Sequence, residues 1–212
     1  MEDFFSTEIL YTNRWIAYFD LLGFTNLVRD KLLEEVLSIY EDAVNALKES
    51  IYDLEPTQVA DKDISVKKKI ELNRHGISYT WFSDSFIIFS RGDSDKEFER
   101  IESTSRKFFQ KLILRKIPVR GALTLGPLYT QQEKNVFIGK ALIDAYEYGE
   151  KQNWLGFVLT PRVHEHLLLK PHLVMITRLS YRMVHDSSII PRDVLAYSFN
   201  NGSANYFLKA IS

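Results

Sequence analysis

The stretch Ala17-Tyr18-Phe19-Asp20-Leu21-Leu22-Gly23-Phe24-Thr25 decides the reading of this chain. An apolar run, Arg14 to Phe19, has the character of a buried strand, yet it ends in a carboxylate followed by Gly-Phe-Thr. Burying an ionised Asp there costs several kcal/mol unless a metal ion, a cationic partner or backbone N–H groups compensate. The turn after Asp20 opens a helix, and the first amides of a helix suit phosphate oxygens. A hard cation beside such a cradle points to nucleotide chemistry. The plainer alternative is that Asp20 caps the helix that follows.

Working outward, Leu27, Leu32, Val36, Tyr40, Val44, Leu47 and Ile51 trace one face of a long helix from Phe24 to about Ile51. Residues from about Tyr52 to His75 are polar and irregular, with Pro56 and the run Lys67-Lys68-Lys69, and read as a connection. Ile77 to Phe82 and Phe86 to Phe89 are rich in aromatic and β-branched residues around Ser83-Asp84-Ser85, which predicts a hairpin. A second helix follows from about Lys96 to Arg115, with Phe98, Ile101, Phe108 and Leu112 inward. A strand from Pro118 to Leu125 is expected to break at Gly126-Pro127. Asn135 to Ile138 is a short strand before a helix near Lys140. Trp154 to Leu159 is strand-like, Arg162 to Leu169 a short helix, and two strands lie near Leu173 to Arg178 and Val194 to Phe199.

The order is β-α-β-β-α-β plus a C-terminal α/β extension, which predicts an α+β fold of the ferredoxin-like type. In that topology the end of the first strand lies beside the central hairpin. Asp20 and Asp84 would then share one edge of the sheet. Two carboxylates converging there repel unless a divalent cation lies between them. Alone, Asp84 is also an ordinary turn residue.

The chain has 212 residues, enough for one substantial core, so residues 1–212 are expected to form a single domain. Its core would span about 14–160 and the extension about 161–212. A net charge of -1 gives no global electrostatic reason for nucleic-acid or membrane binding. The absence of cysteine excludes disulfides and thiolate chemistry and fits a reducing cytosol. No apolar stretch reaches bilayer length, and the acidic start Met1-Glu2-Asp3 does not look like a signal peptide, so a cytoplasmic protein is expected. His164 and His166, two apart, point to different sides of a helix and make no metal pair.

Four segments together resemble the class III nucleotidyl cyclases. Phe19-Asp20-Leu21-Leu22-Gly23-Phe24-Thr25 is similar to their first metal-binding motif. Trp81-Phe82-Ser83-Asp84-Ser85-Phe86 is similar to their second, with Ser83 where glycine is common. Val119 to Pro127 and Phe137 to Tyr146 resemble the next strand and the strand–helix junction, in the family's order. The resemblance implies a catalytic domain in which Asp20, Asp84 and the Leu21 carbonyl hold two Mg²⁺ or Mn²⁺ ions. The amides of Leu22, Gly23, Phe24 and Thr25 would cradle the triphosphate. It also implies a homodimer, with active sites at the subunit interface.

The departures matter as much. Thr80 stands where adenylyl cyclases carry lysine and guanylyl cyclases glutamate. Val136 stands at the second base-reading position, and bulky Tyr79 and Trp81 are expected to narrow the pocket around a smaller base. Ile143 and Glu147 replace the asparagine and arginine that orient the ribose and stabilise the transition state. Arg120 is then the nearest candidate catalytic cation, against a plainer reading as a strand residue paired with a carboxylate. Arg182 stands in for a C-terminal lysine that grips the terminal phosphates. This combination is similar to the pyrimidine cyclases of bacterial Pycsar anti-phage systems. It implies a UTP or CTP substrate and a cyclic UMP or cyclic CMP messenger. Two other readings stay open: a purine cyclase with an unusual pocket, and a cyclase-fold module that binds without turnover.

Overall fold

The computed structural model describes residues 11–52, 76–152, 154–170, 172–173 and 195–197. Strand β1 (Thr12–Leu21) lies at the centre of a mostly antiparallel sheet. It pairs on one side with β3 (Ser85–Ser90) and on the other with β4 (Val119–Gln131). Strand β2 (Ile77–Phe82) completes a hairpin with β3, giving the order β2-β3-β1-β4. That is the ferredoxin-like order the sequence predicts. Beyond β4 come β6 (Phe157–Leu159), parallel to β4, and β7 (Leu195–Tyr197), antiparallel to β6. Strand β5 (Val136–Ile138) pairs separately with the far end of β4.

The two faces of the sheet are covered differently. Trp15, Ala17, Phe19 and Leu21 of β1 pack against α2 (Leu33–Tyr52) and α3 (Asp95–Leu114), with Leu47, Phe98, Phe108 and Leu112 in the same core. The intervening Ile16 and Tyr18 meet α4 (Lys140–Glu150) through Ala141 and Ala145. This alternation is the strand period of two. Helix α3 starts with a full capping box, Ser94 with Glu97, a signal present in the sequence as Ser-Asp-Lys-Glu. Helix α5 (Pro161–Leu168) follows β6 and tucks Val163 and Leu167 into the larger core.

Three expectations are corrected. The helix expected from Phe24 to Ile51 is two helices, α1 (Phe24–Asp30) and α2, separated at Lys31–Leu32. The five-residue step from Leu27 to Leu32 is too long for one stripe, and Leu32 is exposed. The break expected at Gly126-Pro127 does not occur, and β4 runs through both residues, which stay paired with Arg14 and Asn13. Strand β6 stops at Leu123 and β5 begins opposite Tyr129, so Pro127 lies where β4 has β1 alone as its partner. The hairpin turn is Ser83-Asp84 alone, with Ser85 already paired to Phe82.

The 53–75 connection, Arg182 and nearly all of the strand expected near Leu173 to Arg178 lie outside the described residues. No described helix is long and apolar enough to cross a membrane.

Candidate functional site

Asp20 is the next-to-last residue of β1 and faces the α4 side of the sheet, as Ile16 and Tyr18 do. It lies opposite Ser85 of β3 on one side and opposite Arg120 of β4 on the other. The Leu21 amide donates to the carbonyl of Asp84 at 3.0 Å, tying the hairpin turn to the end of β1. The two carboxylates singled out in the sequence are therefore on joined backbone segments. Ser83, which starts that turn, has φ of 54°, a left-handed conformation that glycine adopts without strain.

Asp20 is almost completely buried. Nε and Nη2 of Arg120 both lie 3.0 Å from its Oδ2. Burial pushes the Asp20 carboxyl up to about 6, Arg120 opposes this, and Glu150 and Asp84 reinforce it. All hydrogen bonds to the Asp20 side chain within the described residues fall on Oδ2, leaving Oδ1 for another ligand. The Tyr18 hydroxyl, 2.9 Å from Ser85 Oγ, is pushed up to about 12, mainly by burial.

Arg120 is held well beyond its contact with Asp20. Nη1 donates to the carbonyls of Glu150 (2.7 Å) and Gln152 (3.2 Å), and Nη2 donates to Glu150 Oε1 at 2.7 Å. The side chain thus bridges β1 and the C-terminal end of α4. Glu150 and Gln152 were not singled out in the sequence. A glutamate at a helix end carries no local sign that it faces an arginine 30 positions away.

The residues expected to cradle phosphate divide. The Leu22 amide donates to the Pro118 carbonyl at 2.9 Å and is already used. The amides of Gly23, Phe24 and Thr25, at the start of α1, bond to no acceptor among the described residues. Gly23 holds φ of 75°, so the turn after Asp20 needs the residue without a Cβ. Behind it lies a cavity of about 260 Å³ bordered by Leu22, Gly23, Phe24, Arg115 and Lys116.

The residues expected to read the base also divide. Thr80 lies opposite Ile87, and Ile87 and Phe137 pack on the same cluster, so Thr80 shares a sheet face with the strand that carries Val136. Tyr79 and Trp81 point the other way. Their rings stack 5.8 Å apart against the α2–α3 core, and the Tyr79 hydroxyl lies 3.3 Å from that of Tyr52. Within one chain, Tyr79 and Thr80 therefore do not line one pocket. On α4, Ile143 is exposed and Glu147 pairs with Lys151 at 2.8 Å.

The donor set suits an oxygen-seeking divalent cation: one buried carboxylate with an uncommitted oxygen, and a second carboxylate on the adjoining turn. No cluster of three or more metal-ligating side chains occurs among the described residues, so a nucleotide's phosphates would have to complete such a site.

No protein-family model matches the sequence, and no curated protein matches it. Solved structures do match. The adenylyl cyclase CyaB from P. aeruginosa aligns with a TM-score of 0.55 at 10% identity, over 92% of this chain and 97% of that one. An adenylate/guanylate cyclase/hydrolase from Silicibacter pomeroyi aligns at 0.53 and 13% identity, over 91% and 99%. The monomeric guanylyl cyclase domain of the RhoGC fusion protein from the aquatic fungus Blastocladiella emersonii aligns at 0.50 and 11%, over 76% and 87%. The fold is that of class III cyclase catalytic domains.

Proposed function

We propose that this chain is a nucleotide cyclase converting UTP, or CTP, into the 3′,5′-cyclic nucleotide and pyrophosphate. The observation that supports the reading is the backbone hydrogen bond that joins the end of the Asp20 strand to the Asp84 turn in a cyclase fold. Asp20, Asp84 and the Leu21 carbonyl would hold two Mg²⁺ or Mn²⁺ ions, which when bound would lower the pKa of the 3′-hydroxyl and neutralise the triphosphate. The amides of Gly23, Phe24 and Thr25, which bond to no acceptor among the described residues, would orient the phosphates. Arg120 brings a fixed positive charge to the same edge. The 3′-hydroxyl passes its proton to solvent water, the 3′-oxygen attacks the α-phosphorus in line, the bond to the β-phosphate oxygen breaks, and pyrophosphate leaves.

Pyrimidine preference is supported by Thr80 and Val136, which lack the ionisable groups that read purines in the family this sequence resembles. Tyr79 would buttress that strand from behind. A homodimer is supported by Ile138, Ile143 and Tyr146, large apolar side chains left exposed on β5 and α4. The resemblance to Pycsar cyclases extends the proposal to a messenger made in anti-phage defence.

One observation favours a second reading. Glu147, at the family's arginine position, is paired with Lys151, which suits a module that binds nucleotide without turnover. One assay separates the two: the protein with Mn²⁺ and ATP, GTP, UTP or CTP in turn, with products resolved by chromatography. Cyclic UMP or cyclic CMP is expected. A cyclic purine as main product sinks the base assignment, and no cyclic product from any nucleotide sinks the enzyme.

A further inference from the structure

We propose that Glu150 is a positioning residue of this site: it holds Arg120 beside Asp20 while leaving Asp20 able to take a divalent cation. The inference rests on the reading of Asp20 as a metal ligand given above.

Asp20 supplies Arg120 with a single acceptor, Oδ2. The end of α4 supplies three: the Glu150 carbonyl, the Glu150 carboxylate and the Gln152 carbonyl. A guanidinium whose only counter-charge was Asp20 would compete with any cation for that carboxylate. Glu150 gives Arg120 a carboxylate of its own, and the carbonyls at a helix C-terminus favour a cation further. Arg120 can then lose its contact with Oδ2 and stay neutralised and bonded.

The geometry is braced from behind. A Cβ on Gly149 would lie 3.0 Å from Tyr18 Cδ1, so glycine lets the last turn of α4 settle directly on β1. Gln152 Nε2 donates to the Gly121 carbonyl at 2.8 Å, fastening the chain beyond α4 to the residue after Arg120. The Glu150 side chain is more open than that of Asp20, 35% against 12% exposed. It forms the rim partner of a fork whose inner partner is the candidate ligand.

The test is Mn²⁺ binding to the full, nucleotide-free chain, followed by loss of the free-ion electron paramagnetic resonance signal. Glu150→Gln is expected to weaken binding about tenfold, because Asp20 is then the one carboxylate among the described residues that neutralises Arg120. Glu150→Asp, which keeps the charge, should restore most of the affinity. In an Arg120→Gln background, Glu150→Gln should change affinity by less than about twofold, since its partner is gone. Should Glu150→Gln not fold, Glu150→Ser is read in the same way. Unchanged Mn²⁺ affinity in the single variant overturns the inference. So does a full effect persisting without Arg120, which would mean that Glu150 acts on the ion by charge alone. Wild type that takes no Mn²⁺ overturns the metal reading and this inference together. Wild type that binds Mn²⁺ and cyclises, with Glu150→Gln indistinguishable from it, overturns this inference alone.

Discussion

Along β1, neighbouring residues serve two unlike regions. Trp15, Ala17, Phe19 and Leu21 enter a continuous apolar core beneath α2 and α3. Ile16, Tyr18 and Asp20 face α4, and along that face side chains grade from aliphatic, through a buried hydroxyl, to a carboxylate paired with Arg120. One face holds the sheet together by burial, and the other places charge where burial disfavours it. A site here is thus bought with stability that the opposite face supplies.

The sharpest way to break this comparison is Asp20→Ala. Cyclisation should fall by at least about a thousandfold, measured as cyclic product per minute, while circular dichroism stays native. Undiminished activity would refute the metal assignment. One position earlier the roles should reverse. Phe19→Ala removes a ring lying 5.0 Å from both Phe108 and Phe157, and should cost about 3–5 kcal/mol of unfolding free energy in a denaturant titration.

Acid sharpens the comparison. With its carboxyl raised to about 6 from 3.8, Asp20 contributes stability that is fully present below the lower value and lost as pH rises through the upper. Asn mimics the protonated form at every pH. Asp20→Asn should therefore exceed wild type in stability at pH 8 by about 3 kcal/mol, with the gap closing towards pH 4. Equal melting curves for the two proteins at pH 8 would contradict this. Binding of Mn²⁺ to the nucleotide-free chain should weaken in the same window, as pH drops through about 6 and a proton competes with the ion for Asp20. The smallest effect should come from Ser83→Gly, which relieves a left-handed residue and should gain about 1 kcal/mol in thermal unfolding. A lower melting temperature would mean that Ser83 holds the turn by its side chain.

The elements that were legible in the sequence have local causes. The strand that carries Asp20 near its end, the hairpin and the start of α4 at Lys140 follow from strand composition, turn residues and glycine. The passage of β4 through Pro127 was not legible, because it depends on where β5 and β6 happen to pair. The face of Tyr79 could have been read, since a period of two separates it from Thr80. The nearness of the Asp84 turn to the end of the Asp20 strand was legible through topology, whereas Glu150 depends on a helix end docking against a strand, which no local pattern encodes.

The central place of β1 also governs the order in which the molecule can be made. This strand, the first of the described ones, needs β3 and β4, which leave the ribosome much later, and Asp20 waits for an arginine 100 positions downstream. During synthesis β1 is thus an apolar strand with two open edges, a nascent chain that invites wrong pairing. Native pairing is non-local and folding correspondingly slow. The acidic end of that strand acts meanwhile as a gatekeeper against self-association. Asp20 would then guard the chain before it serves the site.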